Sequence, residues 1–263
     1  LLPSLQAVFY AAGSVRKLAE PLLDRNILLL SAWRAHAVPV AEFTVAQIIL
    51  ANKNCFRFMR DCSASPEARQ NVSRDVSGNF GETVALLGAG MIGRAVIELL
   101  RPYTLRVLVW DPYLSGEQAA ELGVEKVDTL DEAFSRGSVV SNHLANVPAT
   151  RRLLNGQLFN VMRPNATFIN TGRGATVAED ELAEVLQRRP DLTALLDVTH
   201  PEPPAPDSPL YKLDNIFITP HIAGSLGDEV IRMADFAIEE FEAWQQGREL
   251  RYEVDKDKLS TMA

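Results

Sequence analysis

Short apolar runs, each about the length of a β-strand, alternate with helix-period segments along almost the whole chain. Within each run the apolar residues are continuous, which is typical of strands buried on both faces. Parallel strands need long crossovers, so helices between the runs favour an α/β fold with a parallel sheet. The predicted strands are Ala7–Ala12, Ile27–Ser31, Val84–Gly88, Val107–Asp111, Val139–His143, Thr167–Thr171, Thr193–Val198 and Ile216–Thr219. Helices are expected between them at Met91–Leu100, Gln118–Leu122, Asp131–Ser135, Gln157–Val161 and Glu179–Arg188.

Two longer helices are predicted outside this alternation of strands and helices, where they can join two domains. The first runs from about Val40 to Arg60, follows Pro39 and carries apolar residues along one face. The second begins at Ser225, where Asp228 three residues later resembles a capping box with a shorter acid. The polar segment Asp61–Gly81 has no clear period and is predicted to be a linker or arm.

Length, charge and cysteine content narrow the class of protein. The chain has 263 residues, enough for one large domain or two modest ones, and two domains are favoured. A formal net charge of -8 disfavours general affinity for nucleic acid or an anionic membrane surface, since both require a basic field. No stretch approaches the roughly 20 apolar residues of a membrane span, so a cytoplasmic protein is expected. Cys55 and Cys62, about 10 Å apart on a helix, are predicted to be packing thiols rather than a disulfide or a metal site.

The sequence GAGMIG at residues 88–93 follows an apolar run and opens a helical segment. Gly88 permits a tight strand-to-helix turn, Gly90 lets the backbone approach a pyrophosphate, and Gly93 lets the helix pack closely on the strand. The helix N-terminus offers N–H groups to the phosphates. Asp111, at the end of the next strand, stands where an acid binds the ribose diol and repels a 2′-phosphate, which favours NAD over NADP. The alternative is a glycine-rich turn in an α/β domain that binds no nucleotide.

Three polar residues, Arg173, Glu202 and His221, follow three successive predicted strands, where open α/β sheets bind ligands. An arginine can hold a carboxylate at two points and polarise the adjacent carbonyl. A carboxylate bonded to one imidazole nitrogen orients the ring and favours its protonated form, so that the other nitrogen can donate a proton. The constellation indicates an enzyme that reduces a 2-keto acid with a nicotinamide cofactor. Taken singly, the three could be a turn arginine, a capping acid and a structural histidine.

Other residues near these motifs carry weaker signals. His200 shares a loop with Glu202 and is predicted to face solvent rather than to take part in catalysis. His143 ends a strand, and a place near the cofactor and a structural role are equally compatible with that position. Trp33, Arg34 and His36 precede the first long helix, and a plain loop role is favoured over a place in the substrate pocket.

The segments LLGAGMIG, VWDPY, SNHLANVPATRRLL, FINTGRG, LLDVTHPEP and NIFITPHIAG together resemble the D-isomer-specific 2-hydroxyacid dehydrogenases, over roughly Leu5 to Val254. The resemblance implies a Rossmann-type, doubly wound cofactor domain inserted into a smaller flavodoxin-like substrate domain, usually in a homodimer. It further implies substrate-domain strands and helices ahead of Leu1, so the small domain is expected to lack its N-terminal part here. The expected division is residues 1–39 for part of the substrate domain, 40–225 for the NAD-binding domain and 226–263 for the return.

The resemblance also assigns roles to single residues. The family's catalytic arginine, glutamate and histidine fall on Arg173, Glu202 and His221. Arg173 and the backbone N–H groups of the turn at Gly13 and Ser14 would hold the substrate carboxylate. Besides the fingerprint glycines Gly88, Gly90 and Gly93, the implied cofactor contacts are Met91, Ile92, Asp111, Thr171, Asp197 and Gly224, with Asp197 near the nicotinamide carboxamide. No metal site is expected.

The predicted function is therefore an NAD-dependent oxidoreductase that interconverts a D-2-hydroxy acid and its 2-keto acid, with His221 as acid and base. Formate dehydrogenases, a related family, carry glutamine where this chain has Glu202, and this residue disfavours that assignment. An NAD(H)-sensing protein that resembles the C-terminal-binding-protein corepressors and has little turnover remains the alternative, because such proteins share the same three residues.

Overall fold

The computed structural model describes residues 2–13, 15–65, 76 and 78–256, and these form nine strands and nine α-helices. The strands are β1 Ala7–Tyr10, β2 Leu28–Ser31, β3 Thr83–Leu87, β4 Arg106–Trp110, β5 Glu125–Lys126, β6 Val139–Asn142, β7 Thr167–Asn170, β8 Thr193–Leu196 and β9 Ile216–Ile218. The helices are α1 Arg16–Leu23, α2 Trp33–Ala51, α3 Cys55–Ala64, α4 Met91–Leu100, α5 Gly116–Leu122, α6 Leu130–Arg136, α7 Gly156–Asn160, α8 Glu179–Arg188 and α9 Glu229–Gln245. The α/β class and all eight predicted strands are confirmed. The sequence prediction lacks β5, because its two residues are polar and exposed.

Seven strands form one parallel sheet in the order β5-β4-β3-β6-β7-β8-β9. From β3 the chain runs outward to β5, and it then returns to place β6 on the other side of β3. Strand order therefore reverses between β3 and β6, as in doubly wound Rossmann-type folds, whose ligands bind beyond the strand ends at this point. Leu87 pairs with Asn142 in the register, so the turns after β3 and β6 emerge side by side.

Helices cover both faces of this sheet. On one face α2, α4 and α5 pack over β3 and β4, with Ile48 and Val96 fully buried. On the other face α6 and α7 bury a cluster of aromatic rings, in which the centroids of Phe159 and Phe168 lie 5.0 Å apart. Because neither face meets solvent, every residue of β6, β7 and β8 is buried, including the polar residues that stand at the ends of these strands.

The first long helix differs from its prediction in two ways. It begins at Trp33, so Pro39 lies inside α2 rather than before it. In the part of α2 that precedes Pro39, the buried Ala35 packs against Met233 of α9. This packing outweighs the tendency of a proline to stand at the start of a helix. The helix also ends at Ala51, because Asn54 adopts a left-handed conformation with φ 51°, and α3 follows as a separate helix.

The second long helix is α9, which begins at Glu229 rather than at Ser225. Its N-terminus has no side-chain cap, so the predicted capping box is wrong; Glu229 instead accepts a hydrogen bond from the backbone N–H of Leu226. Met233 faces the interior as expected from the apolar spacing, whereas Val230, on the same predicted face, is exposed. Among the described helices, none combines the length and the apolar character needed to cross a membrane.

A second sheet contains β1 and β2, which pair in parallel. The helix α1 covers it, and Ala19 and Leu29 are fully buried in the interface. The C-terminal segment returns to the same place: Val254 joins this cluster, and its backbone N–H donates to the Leu29 carbonyl at 2.8 Å. Both ends of the described chain thus build this small unit, and α9 and α2 connect it to the large sheet.

Candidate active site

The glycine loop after β3 has the geometry that a nucleotide-binding turn requires. Gly88 has φ +101°, a conformation that L side chains rarely adopt. A Cβ atom on Gly93 would lie 2.1 Å from the carbonyl oxygen of Gly88, so only glycine allows α4 to pack on the turn. A Cβ atom on Gly90 would meet no atom within 4 Å. The middle glycine therefore borders open space, which a pyrophosphate would fill.

The other predicted cofactor contacts near this loop surround the same space. Met91 and Ile92 form the first turn of α4, whose N–H groups have no acceptor within the helix. The carboxylate of Asp111 accepts hydrogen bonds from the backbone N–H groups of Ala89 and Tyr113, each at 2.7 Å. These bonds hold the acid at the rim of the glycine loop, where a ribose diol could replace or join them.

The structure brings the three predicted catalytic residues together. They follow β7, β8 and β9, which are neighbours in the sheet. Nδ1 of His221 lies 2.5 Å from Oε1 of Glu202, so Nε2 is the nitrogen left for a substrate. Burial lowers the pKa of the Arg173 guanidinium, and the nearby Glu202 carboxylate opposes this shift. A cation, a carboxylate and an imidazole thus share one edge of the sheet.

A buried hydrogen-bond network supports the turn that carries Arg173. The side-chain amide of Asn142 donates to Oδ1 of Asn170 and to Oγ1 of Thr176, both at 2.9 Å. The Thr176 hydroxyl then donates to the Arg173 carbonyl at 2.7 Å. Sequence reasoning missed these supporting residues. The available signal was a polar residue at the end of an apolar strand, as at Asn142 and Asn170.

Asp197 builds the loop that carries His221. Its buried carboxylate accepts three hydrogen bonds, from the Thr219 hydroxyl at 2.6 Å and from the backbone N–H groups of Ile222 and Ala223 at 2.8 and 2.9 Å. The backbone N–H of His221 also donates to the Asp197 carbonyl at 3.1 Å. His221 itself has φ 56°, an unusual conformation that this frame holds. The sequence predicted only a cofactor contact for Asp197, and no local signal reveals its role in the loop.

The cleft also contains His36, which the sequence prediction placed in a plain loop. That prediction is wrong, because His36 lies in the first turns of α2. A Cβ atom on Gly13 would lie 2.9 Å from its ring, and one on Gly224 would lie 2.5 Å from it. Burial, followed by the charges of Arg173 and His221, lowers the pKa of the His36 imidazole. The predicted residues Gly13 and Gly224 therefore meet at this ring.

The remaining predicted contacts lie close to the same turns or outside the described residues. Thr171 is buried, and its hydroxyl lies 2.8 Å from that of Thr44, which ties α2 to the turn after β7. Ser14 lies outside the described residues. Burial of the His143 imidazole lowers its pKa to about 4, and its Nε2 lies 3.0 Å from the Ser141 hydroxyl. It borders the fingerprint, because a Cβ atom on Gly88 would approach its carbonyl oxygen to 3.0 Å.

His200 is exposed, and its backbone N–H donates to the Glu179 carboxyl group at 2.8 Å. Burial raises the pKa of that carboxyl group to about 7. Within the described part of the chain, no group of three or more His, Cys, Asp or Glu side chains is arranged to hold a metal ion.

Comparison with known proteins adds family evidence to this geometry. The family model described as D-isomer specific 2-hydroxyacid dehydrogenase, NAD binding domain, matches residues 45–223. The D-3-phosphoglycerate dehydrogenase of Methanocaldococcus jannaschii is 30% identical over 208 residues, which are 78% of this chain and 39% of that protein. That of Archaeoglobus fulgidus is 28% identical over 233 residues, 88% of this chain and 44% of that protein. The chain spans less than half the length of these relatives.

Solved structures show the same fold. The TT0316 protein from Thermus thermophilus has a TM-score of 0.74 and 29% identity, over 95% of this chain and 79% of that chain. The holo form of D-mandelate dehydrogenase from Rhodotorula graminis has a TM-score of 0.81 and 22% identity, over 97% and 76% of the two chains. The family match covers the fingerprint, Asp111 and the three predicted catalytic residues. The chain therefore belongs to the D-isomer specific 2-hydroxyacid dehydrogenase family and carries its NAD-binding domain.

Proposed function

We propose that this chain is an NAD-dependent oxidoreductase that interconverts a D-2-hydroxy acid and the corresponding 2-keto acid. The observation that carries the proposal is the hydrogen bond between His221 and Glu202, beside Arg173 at one edge of the sheet. An imidazole paired with a carboxylate can move a proton, and an adjacent guanidinium can bind an anionic carbonyl compound.

The residues around the fingerprint fit NAD. The open position at Gly90 and the first turn of α4 would hold the pyrophosphate, and the Asp111 carboxylate would bind the ribose diol. When bound, the reduced cofactor supplies the hydride for C2 of the keto acid. Thr171, Asp197 and Gly224, on the turns after β7, β8 and β9, are the proposed contacts on the nicotinamide side.

Arg173 is proposed to bind the substrate carboxylate and to polarise the carbonyl group at C2. Arg173 is partly buried, so water screens its charge less than it would at the surface. The backbone at Gly13 faces the same cleft across the His36 ring and would add N–H donors to the carboxylate. Two points of attachment would fix which face of the carbonyl is presented, and hence the D configuration of the product.

His221 is proposed to donate a proton from Nε2 to the oxygen at C2 during reduction and to accept it during oxidation. Glu202 holds the ring through Nδ1 and offsets the positive charge of the imidazolium form. Both side chains are partly exposed, so protons can exchange with solvent between turnovers. This arrangement favours a proton-coupled reaction over formate oxidation, which needs no proton transfer through such a pair.

An NAD(H)-sensing protein of low turnover is the second candidate. The experiment that separates the two is NADH oxidation by the purified chain with glyoxylate, pyruvate, hydroxypyruvate and bulkier branched or aromatic keto acids. The proposal predicts turnover with at least one acid that disappears in the His221→Ala variant, while NADH binding persists. Binding of NADH without consumption in the presence of any of these acids would favour the sensor.

The family resemblance supplies three further proposals. Residues 40–225 would form the cofactor domain, and residues 1–39 and 226–263 would lie on the substrate side. The active form would be a homodimer, which analytical ultracentrifugation of the purified chain would test. The protein would act in the cytoplasm, which fractionation of the source cells would test.

A further inference from the structure

The short segment that carries Glu202 has few backbone groups with which it can be held in place. Residues 199–204 have the sequence THPEPP and are called the Glu202 segment here. Proline has no backbone N–H, so only Thr199, His200 and Glu202 can donate hydrogen bonds from the main chain. The Glu202 side chain is partly exposed, and one of its oxygens meets Nδ1 of His221. The direction of this carboxylate therefore depends on the contacts that fix the backbone of the segment.

Glu179 provides one of these contacts from a helix outside the group of predicted catalytic residues. It is the first residue of α8, and its Oε1 accepts a hydrogen bond from the backbone N–H of His200 at 2.8 Å. His200 stands two positions before Glu202. The bond joins residues that are 21 positions apart in the sequence, so it ties the Glu202 segment to the start of α8.

The turn of Arg173 provides a second contact. A Cβ atom on Gly174, the residue after Arg173, would lie 2.1 Å from the carbonyl carbon of Thr199 and 2.3 Å from its oxygen, so the two backbones touch. The hydroxyl group of the buried Thr199 also donates to the Pro201 carbonyl at 2.9 Å, within the segment. The segment thus begins against the turn of Arg173, and the bond from the His200 N–H is the next contact along the chain.

The Glu202 segment lies between two cavities. One, of about 420 Å³, is lined by Glu179 and His200, and the other, of about 620 Å³, is lined by Glu202 and His221. Pro204 borders both cavities. Glu179 therefore lies behind the segment rather than in the cavity of the His221–Glu202 pair, and it can act on that pair only through the backbone and through its charge.

The surroundings of Glu179 favour its neutral form. Burial raises the pKa of its carboxyl group to about 7; the bond from the His200 N–H and the charge of Arg152 oppose this shift, whereas the charges of Asp180 and Glu202 add to it. The bonded position therefore contributes most below pH 4.5, and this contribution falls as the pH rises to about 7. The charged and titratable groups that surround Glu179 or line its cavity are Asp180 on α8, Arg151 and Arg152 between β6 and α7, and His200, Glu202 and Asp207 after β8.

We propose, on the basis of the proposed function, that Glu179 is a positioning residue whose neutral carboxyl group holds the Glu202 segment in place through the His200 N–H. Once ionised, the carboxyl group gains hydration by leaving this position for solvent, and the segment then holds Glu202 less firmly against His221. Proton transfer by His221 is slower in that state. The neutral form of Glu179 therefore favours keto-acid reduction, which consumes a proton.

The first part of the test measures kcat and KM for reduction of a keto acid that the wild type accepts, together with NADH affinity. Glu179→Leu removes the acceptor and should lower kcat by about tenfold, because a small misplacement of a catalytic group is costly. KM and NADH affinity should change little. Glu179→Gln keeps a neutral acceptor and should restore kcat. Glu184→Leu, at an exposed position of the same helix, and His200→Ala, which keeps the backbone N–H, should retain the wild-type kcat.

The second part compares the wild type with Glu179→Gln from pH 5 to pH 9. His221 is present in both chains, so the ratio of their kcat values isolates the titration of Glu179. The two should be equally active at pH 5, where the carboxyl group is neutral. At pH 9 the Gln variant should be faster by about twofold to tenfold, because its acceptor cannot ionise.

Three results would overturn the inference while leaving the proposed function intact. One is a wild-type kcat in Glu179→Leu, and another is a ratio of wild type to Glu179→Gln that is the same at every pH. The third is a Glu179→Leu variant that loses NADH affinity together with kcat and is not rescued by Gln, which would assign Glu179 to packing. Absence of turnover with any keto acid in the wild type would overturn the proposed function and this inference with it.

Discussion

Nδ1 of His221 and Oε1 of Glu202 lie 2.5 Å apart, although the two residues belong to separate turns after adjacent strands. Asp197 is the first residue after β8, on the segment that leads to Glu202. Its carboxylate accepts hydrogen bonds from the backbone N–H groups of Ile222 and Ala223, and these bonds hold the turn of His221 in place. The carboxyl edge of β8 and β9 therefore holds the His221–Glu202 pair, and the alignment of the pair depends on the sheet.

The charge of Glu202 should matter beyond its hydrogen bond. In Glu202→Gln the side-chain oxygen can still accept a bond from Nδ1, so the ring keeps its orientation but loses the negative charge that offsets the imidazolium form. Turnover should fall by about tenfold or more, with NADH affinity unchanged. Stopped-flow reduction of a keto acid and fluorescence titration of NADH measure the two quantities. Full turnover in Glu202→Gln would restrict the role of Glu202 to orientation.

Removal of the Asp197 carboxylate should loosen the loop of His221. Asp197→Ala leaves the backbone N–H groups of Ile222 and Ala223 without their acceptor in a buried place, so the free energy of unfolding should fall by about 3 kcal/mol or more. Activity should fall with it. Thr219→Val removes one donor and leaves the carboxylate in place, and its effect on urea denaturation should be much smaller. Equal stability losses in the two variants would contradict this account of the loop.

Two glycines of the fingerprint should respond differently to alanine. A Cβ atom at Gly93 would lie 2.1 Å from a backbone oxygen, so Gly93→Ala should lower the melting temperature through a loss of about 1–3 kcal/mol or more. Gly90 has φ −68°, which alanine tolerates, and its Cβ position is open. Gly90→Ala should therefore melt like the wild type and lose NADH affinity. A Gly90→Ala variant with normal NADH affinity would place the pyrophosphate elsewhere.

Glu179 should make stability depend on pH. Burial raises the pKa of its carboxyl group from 4.5 to about 7, so the folded state binds this proton more tightly than the unfolded state does. Its contribution is most favourable below pH 4.5 and is lost as the pH rises to about 7. Glu179→Gln keeps an acceptor for the N–H of His200 and should raise stability above pH 7, by up to about 3 kcal/mol.

Thermal melts from pH 5 to pH 9 would measure the effect. Glu184→Gln, at an exposed position of the same helix, is the control and should leave the pH dependence unchanged. A Glu179→Gln variant with the pH dependence of the wild type would show that the Glu179 carboxyl group titrates normally in the folded protein.

The sequence predicted the parallel sheet well because burial on both faces leaves a direct record, a continuous apolar run for each strand. It failed where tertiary contacts override local signals. Pro39 resembles a helix start, yet α2 extends six residues further towards the N-terminus, where it packs against α9. Asn54 ends a helical pattern through its backbone conformation, which its residue type permits but does not require.

The candidate site likewise contains residues that the local sequence predicts and residues that only tertiary contacts bring to the site. Arg173, Glu202 and His221 were predictable because each is a polar residue just after an apolar run, and parallel strands bring such positions together. Asp197 and His36 were not, because their roles depend on contacts between distant segments. The carboxylate of Asp197 meets a loop 22 to 26 residues further along the chain, and the His36 ring packs against Gly13 and Gly224, which lie far from it and from each other in the sequence.

The measurement that tests the central claim most directly is single-turnover oxidation of bound NADH by a panel of 2-keto acids, in the wild-type chain and in His221→Ala. We expect the wild type to oxidise NADH with at least one acid and His221→Ala to do so about 10²–10⁴ times more slowly, with the same NADH affinity. His200→Ala, which changes an exposed histidine, should retain the wild-type rate. A His221→Ala variant that oxidises NADH as fast as the wild type would contradict the assignment of proton transfer to His221.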